Sequence, residues 1–102
     1  MIKIAPRNAP DEYTSTEHYV LNIGDEVTCV SFGHQIDDIM IATPDGDVLV
    51  AWDVDEWKDD ECLLVSMHDN LKEIGNVRCS HFYLKSYVPG KTLKVFLTIQ
   101  RN

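Results

Sequence analysis

The sequence predicts a small all-β domain, an antiparallel barrel or sandwich of six to seven strands with one short helical turn. Apolar and polar residues alternate with a period of two along most of the chain, as in strands that bury one face. Turn motifs containing Gly and Pro separate these runs at short intervals, and no long stretch keeps a helical period. An α+β fold is the alternative that this pattern leaves open.

Three hairpins are predicted from the turn motifs. They join His18–Ile23 to Glu26–Phe32, Ile36–Thr43 to Asp47–Val54, and Val77–Tyr87 to Thr92–Gln100. The second hairpin is apolar on both faces and is expected at the centre of a sheet. Residues 55–61 form a charged loop or one helical turn, and Asn70 is expected to cap another short turn that Gly75 ends.

A length of 102 residues and a hydrophobic content of 44% fit one globular domain that spans residues 1–102. Residues 5–16, which contain Pro6 and Pro10, are expected to form an irregular arm or loop. Pro6 and Arg7 interrupt the N-terminus before an apolar signal segment can develop. Three cysteines lie within strand-like runs, as buried reduced thiols do. We therefore expect a complete cytoplasmic chain.

Charge is distributed unevenly along the chain, whose formal net charge is −8. The segment from Asp11 to Glu61 contains 15 carboxylates, and Lys58 is its one basic residue. The segment from Lys72 to the end contains six basic residues and only one carboxylate, Glu73. A concentrated negative charge of this kind attracts basic partners and speeds their encounter.

The acidic tract between residues 53 and 61 gives the leading functional hypothesis, a non-enzymatic module or inhibitor that binds a basic protein partner. Its carboxylates would steer the partner and Trp57 would supply a desolvated anchor. One form of this hypothesis is a DNA mimic that occupies a nucleic-acid-binding groove. The oligomeric state stays open, a homodimer included. The predicted partner-binding residues are Asp53, Asp55, Glu56, Trp57, Asp59, Asp60 and Glu61.

An alternative function is nucleic-acid or anion binding on the outer face of the third predicted hairpin. There, aromatic rings alternate with lysines, a pattern that can stack bases and contact phosphates. The residues are Tyr83, Lys85, Tyr87, Lys94 and Phe96. A chain with a net charge of −8 repels polyanions, so nucleic acid is the less favoured partner.

A second alternative is a small metal- or ligand-binding β-barrel enzyme that uses Cys79, His81 or His34. Cys79 and His81 are expected on the same strand face, although no Cys-x-x-Cys or His-x-x-x-His spacing supports a zinc site. The residues from Asp53 onward lack the glycine and the final glutamate of an EF-hand loop. Phosphate-binding glycine motifs and a nucleophile elbow are also missing. We therefore expect no metal, no cofactor and no catalytic residue.

Overall fold

The computed structural model describes residues 2–4, 16–52 and 57–100. Its strands are β1 (Ile2–Ile4), β2 (Thr16–Ile23), β3 (Thr28–Ile36), β4 (Asp38–Ala42), β5 (Val48–Ala51), β6 (Leu63–Val65), β7 (Lys72–Ile74), β8 (Cys79–Ser86) and β9 (Leu93–Gln100). One 3-10 turn covers Asp59–Glu61. The all-β prediction is confirmed. Over the same residues, no helix has the length and hydrophobicity that a membrane span needs.

The described strands number nine, not six to seven. The two additional strands are short, three-residue elements, β1 and β7, that are too brief to show alternation. β7 forms where we predicted a helical turn after Asn70, because Lys72–Ile74 pairs with Ile39–Ile41 of β4. Of the turn predicted at residues 55–61, Asp59–Glu61 forms the 3-10 turn, and residues 55–56 lie outside the described residues. The predicted arm also lies outside them except for Thr16, which begins β2.

The strands form a sandwich of two sheets that do not close into a barrel within the described ranges. The five-strand sheet has the order β1-β3-β8-β5-β6, and the four-strand sheet has the order β2-β9-β4-β7. Neighbouring strands are antiparallel except for β1 and β3, which are parallel. Strands β2 to β9 thus follow the double-sheet arrangement of a jelly roll. This architecture has many unrelated functions, so function must come from the site.

All three predicted hairpins are wrong in their pairing. β2 and β3, β4 and β5, and β8 and β9 each lie in different sheets, so their turns carry the chain across the sandwich. β2 pairs with β9 instead, with Val20 opposite Phe96. A turn motif reverses the chain, but it does not decide whether the next strand pairs beside the first or faces it across the core. The central position predicted for β4 and β5 is confirmed, because each of them has a neighbouring strand on both sides in its own sheet.

The core lies between the inner faces of the two sheets. The alternating residues Leu93, Val95, Leu97 and Ile99 of β9 are all buried, as are Phe82 and Leu84 of β8. The Phe82 ring packs against Phe32 with the ring centroids 5.9 Å apart. Burial of these apolar side chains supplies the main stabilisation of the domain.

Aspartates fix the loops at one end of the sandwich. Asp25 Oδ2 accepts the Gly90 N–H at 2.8 Å, and Asp47 Oδ1 accepts the Met67 N–H at 2.7 Å. Asp45 Oδ2 accepts a third backbone N–H from the start of β9, at 3.3 Å. The first two bonds satisfy backbone donors in loops that cross between the sheets, and the third satisfies a donor in β9. Because each donor is a neutral amide, the aspartates keep their negative charge. Part of the acidic composition therefore has a structural role.

The tight turn between β4 and β5 gives a stability prediction. A Cβ added at Gly46 would lie 3.0 and 3.1 Å from the two terminal carbons of Leu93, which is fully buried and cannot move freely. We expect Gly46→Ala to lower the free energy of unfolding by about 1–3 kcal/mol, measured by urea denaturation. The control is Gly24→Ala, since its nearest neighbour would be 3.9 Å away. Equal effects of the two substitutions would contradict this packing.

Candidate functional site

A cleft of about 540 Å³ lies between the end of β5 and the segment that leads into β6. We call it the Trp cleft, because both tryptophans of the chain line it. Its lining residues are Val50, Ala51, Trp52, Trp57, Lys58, Glu61, Cys62 and Leu63. The cleft therefore combines apolar walls with one basic and one acidic side chain.

The Trp57 indole is held in place by a chain of polar contacts. Its Nε1–H donates to Asp59 Oδ1 at 2.7 Å. Lys85 on β8 in turn donates from Nζ to both carboxylate oxygens of Asp59, at 3.0 and 3.1 Å. This two-point contact ties the acidic turn to the outer face of the five-strand sheet. Asp59 thus orients one wall of the Trp cleft.

The outer face beneath this turn is covered. Leu49 of β5 stands opposite Lys85 in the sheet and points away from the core, yet it is only 2% exposed. The link between Lys85 and Asp59 places the turn on the same side of the sheet. Burial of an outward-facing leucine shows that this part of the sheet is not a bare surface.

The second tryptophan directly follows β5 in the same sheet. Trp52 is partly buried and packs against the hydrophobic core beside Cys79. Burial raises the pKa of the Cys79 thiol, and a hydrogen bond from the Trp52 side chain acts against this rise. Trp57 is therefore restrained by its hydrogen bond to Asp59 and Trp52 by its packing against the core. Such restraint lowers the entropy that a ligand must remove on binding.

Ion pairing differs among the carboxylates of the acidic turn. Lys85, and then Trp57, hold the pKa of Asp59 below its ordinary value of 3.8 through hydrogen bonds to the charged form. Glu61 lies 3.9 Å from Lys58, and both side chains are mostly exposed, so this contact is weak. Asp60 is exposed and has no ion pair within the described ranges. Asp60 and Glu61 remain available to a partner, whereas Asp59 is neutralised by Lys85.

Cys62 is the thiol that lines the Trp cleft. Burial is the largest cause that raises the pKa of this thiol. The nearby carboxylates Asp59, Glu61 and Asp60 raise its pKa further, whereas Lys85 lowers it. The Sγ–H also contacts the Lys58 carbonyl oxygen at 3.3 Å. Since the thiolate is the nucleophilic form, this environment suits a packed thiol and disfavours a reactive one.

The structure places the predicted partner-binding residues as follows. Trp57, Asp59, Asp60 and Glu61 lie together on one short segment around the 3-10 turn. Asp53, Asp55 and Glu56 lie outside the described residues. Sequence reasoning gave Asp59 a steering role. In the structure its carboxylate binds Lys85 and accepts the Trp57 N–H.

The predicted nucleic-acid surface is not formed as one face. Tyr83 and Lys85 belong to β8 in the five-strand sheet, whereas Lys94 and Phe96 belong to β9 in the four-strand sheet. Tyr87 follows β8 and is exposed. Because the expected hairpin does not exist, the two pairs of residues lie on the outer faces of opposite sheets. Lys85 is moreover occupied by Asp59.

The third predicted group lies on neighbouring strands of the five-strand sheet, because Ser31 and Ile36, which flank His34, pair with His81 and Cys79. Cys79 and His81 share β8, and His34 lies on β3. His81 stacks edge-on against Tyr83, with ring centroids 5.6 Å apart. No hydrogen bond or ion pair joins His34 to Cys79 or His81 in the described part of the chain, which also contains no group of three or more potential metal ligands.

Sequence reasoning missed a buried carboxylate, Glu17, which is only 4% exposed. The Tyr19 hydroxyl donates to Glu17 Oε2, and His34 Nε2 lies 3.6 Å from Oε1. The signal was present in the sequence, since Glu17 has the same strand parity as Tyr19, Leu21 and Ile23 and so points inward. These contacts place a polar cluster beside Phe32 at the core.

The pair formed by Asp59 and Lys85 gives a pH-dependent prediction. Because the pKa of Asp59 is lowered on folding, its stabilisation is complete above the ordinary value of 3.8 and is lost as the pH falls through the lower folded value. We expect Asp59→Asn to cost about 1 kcal/mol or less at neutral pH, since the pair is partly exposed. The difference from the wild type should shrink below about pH 4 in urea denaturation.

The control for this prediction is Asp60→Asn, which removes the same charge from the adjacent position. Asp60 has no ion pair among the residues described, so we expect little loss of stability at neutral pH. A penalty for Asp59→Asn that grows on acidification would contradict the assigned sign.

Comparisons of the chain with protein-family models, with curated proteins and with solved structures gave no match.

Proposed function

We propose that this domain is a non-enzymatic binding module that holds a positively charged segment of a protein partner at the Trp cleft and the acidic residues around it. The observation that carries the proposal is the restrained Trp57 indole, which lines an open cleft next to the exposed carboxylates Asp60 and Glu61. Tryptophan is among the residues enriched at protein–protein hot spots, and carboxylates near it favour encounter with a basic partner. The cleft thiol, whose pKa is raised, favours binding over nucleophilic catalysis.

Charge around the cleft supports a basic partner. The described part of the acidic tract, residues 57–61, contains three carboxylates and one basic residue, Lys58. Residues 53–56 add three further carboxylates to the sequence but lie outside the described residues. The acidic loops extend this charge, because Asp25 lines a second, smaller cavity together with Asp59 and Tyr87. Carboxylates that face solvent steer a cation during its approach, and this effect weakens as salt screens the charges.

The test is titration of the purified domain with a short peptide of alternating Lys and Ser, and with the same peptide in which Glu replaces Lys. We expect the basic peptide alone to bind, with an association rate that falls as salt rises from about 50 mM to about 500 mM. An association rate that does not change with salt, or equal binding of the acidic peptide, would contradict the proposal.

Inhibition of a nucleic-acid-binding protein is one form of this function, since the acidic loops can occupy a groove built for phosphates. It predicts that duplex DNA and the domain compete for the same basic partner. We also propose a cytoplasmic location. Its support is that Cys29, Cys62 and Cys79 are all free thiols, as in a reducing compartment.

A further inference from the structure

We propose that the Trp cleft selects arginine over lysine in the basic partner, with the guanidinium stacked on the indole of Trp57 or Trp52 and its N–H groups directed to the Glu61 carboxylate. This inference rests on the proposed function and specifies the side chain that the cleft receives. It follows from the cleft lining, which places two indoles and one carboxylate around the same open space.

The chemistry of the two basic side chains differs at such a site. A guanidinium is planar and weakly hydrated, so it can lie flat on an indole while its edge binds a carboxylate at two points. The lysine ammonium is compact and strongly hydrated, and it loses more hydration on entering a cleft walled by Trp52, Trp57 and Leu63. General attraction by negative charge would not distinguish the two, so any preference for arginine must come from the walls.

The indole orientation strengthens this argument. Trp57 directs its Nε1–H to Asp59, so the donor edge of the ring is already occupied and the ring can offer its face. Stacking of a cation uses the face of the ring, where the negative part of the quadrupole lies. The link from Lys85 to Asp59 keeps this arrangement before a ligand arrives.

Lys58 lowers the affinity of the Trp cleft for a cation. It also lines the Trp cleft, and its Nζ lies 3.9 Å from Glu61 Oε1. An incoming guanidinium must therefore compete with Lys58 for Glu61. Because the Lys58 side chain is 60% exposed, it can move aside, but its charge still opposes a cation in the cleft. Removal of this charge should strengthen arginine binding.

The experiment compares two short peptides that alternate Ser with either Arg or Lys, titrated calorimetrically at about 150 mM salt. We expect the Arg peptide to bind about three- to tenfold more tightly than the Lys peptide. Lys58→Met should raise the affinity for the Arg peptide more than Lys94→Met does. Both substitutions remove one positive charge, but Lys94 lies on the outer face of the four-strand sheet.

The outcomes separate this inference from the proposed function. Equal binding of the Arg and Lys peptides, together with equal effects of Lys58→Met and Lys94→Met, would overturn the arginine site and leave the acidic binding function standing. Failure of both peptides to bind even at about 50 mM salt would overturn both proposals. An Arg preference that survives replacement of both tryptophans by leucine would also overturn the assigned cleft.

Discussion

Phe82→Ala is expected to lower the free energy of unfolding by about 3–5 kcal/mol, which is a large part of the stability of a domain of this size. The side chain is fully buried between the two sheets and packs against Phe32. Its removal leaves a cavity that neighbouring strands cannot fill, because they are fixed by their backbone pairing in each sheet. Urea denaturation followed by circular dichroism measures this loss.

The matched control is Phe96→Ala, which removes the same atoms from the outer face of β9. Phe96 is 41% exposed and stands opposite Val20 in the four-strand sheet. We expect this substitution to cost about 1 kcal/mol or less. Similar costs at the two positions would show that the inner and outer faces of the sandwich are wrongly assigned.

Trp57→Ala has the largest expected effect on binding. We expect a loss of about 2 kcal/mol in the affinity for the Arg peptide, or roughly a 30-fold rise in Kd. The substitution removes one wall of the Trp cleft and leaves Asp59 bound to Lys85. Calorimetric titration measures the effect, and the thermal unfolding midpoint shows whether the variant is folded.

Two further variants test whether the loss of affinity comes from the aromatic ring of Trp57 and from its place in the Trp cleft. Trp57→Phe keeps an aromatic face but loses the N–H that donates to Asp59, so we expect an intermediate affinity. Tyr87→Ala removes an aromatic ring that is 53% exposed but does not line the Trp cleft, and it should change the affinity much less. If Trp57→Ala binds as tightly as the wild type, Trp57 does not belong to the binding site.

Much of the fold could be predicted from the sequence because alternation reports which side of a strand is buried. Leu93, Val95, Leu97 and Ile99 are buried as their pattern predicts, and so are Phe82 and Leu84. The pairing could not be predicted from the same signal. The residues that flank Pro44-Asp45-Gly46 would bury the same apolar side chains whether β4 and β5 paired or faced each other. What decides between these arrangements is that β4 pairs with β9 and β5 pairs with β8.

The candidate site was predicted only in part, because the sequence shows which residues are present but not which of them meet in the fold. Composition identified the acidic tract and Trp57, since charge density and aromatic residues are visible in the chain itself. The role of Asp59 was not visible, because it depends on Lys85, which lies 26 positions further along the chain. Sequence reasoning assigned those two residues to separate hypotheses. The antiparallel pairing of β5 with β8 brings Lys85 close to the turn that follows β5.

The most direct test uses the two tryptophan indole N–H signals in a proton–nitrogen correlation spectrum, which are distinguished by single Trp→Phe variants. On titration with the Arg peptide, we expect both indole signals to shift with the same saturation curve as the Glu61 backbone amide. The amides of Lys94 and Phe96 on the opposite sheet should stay in place. Unmoved indole signals during saturable binding would contradict the central claim that the Trp cleft receives the partner.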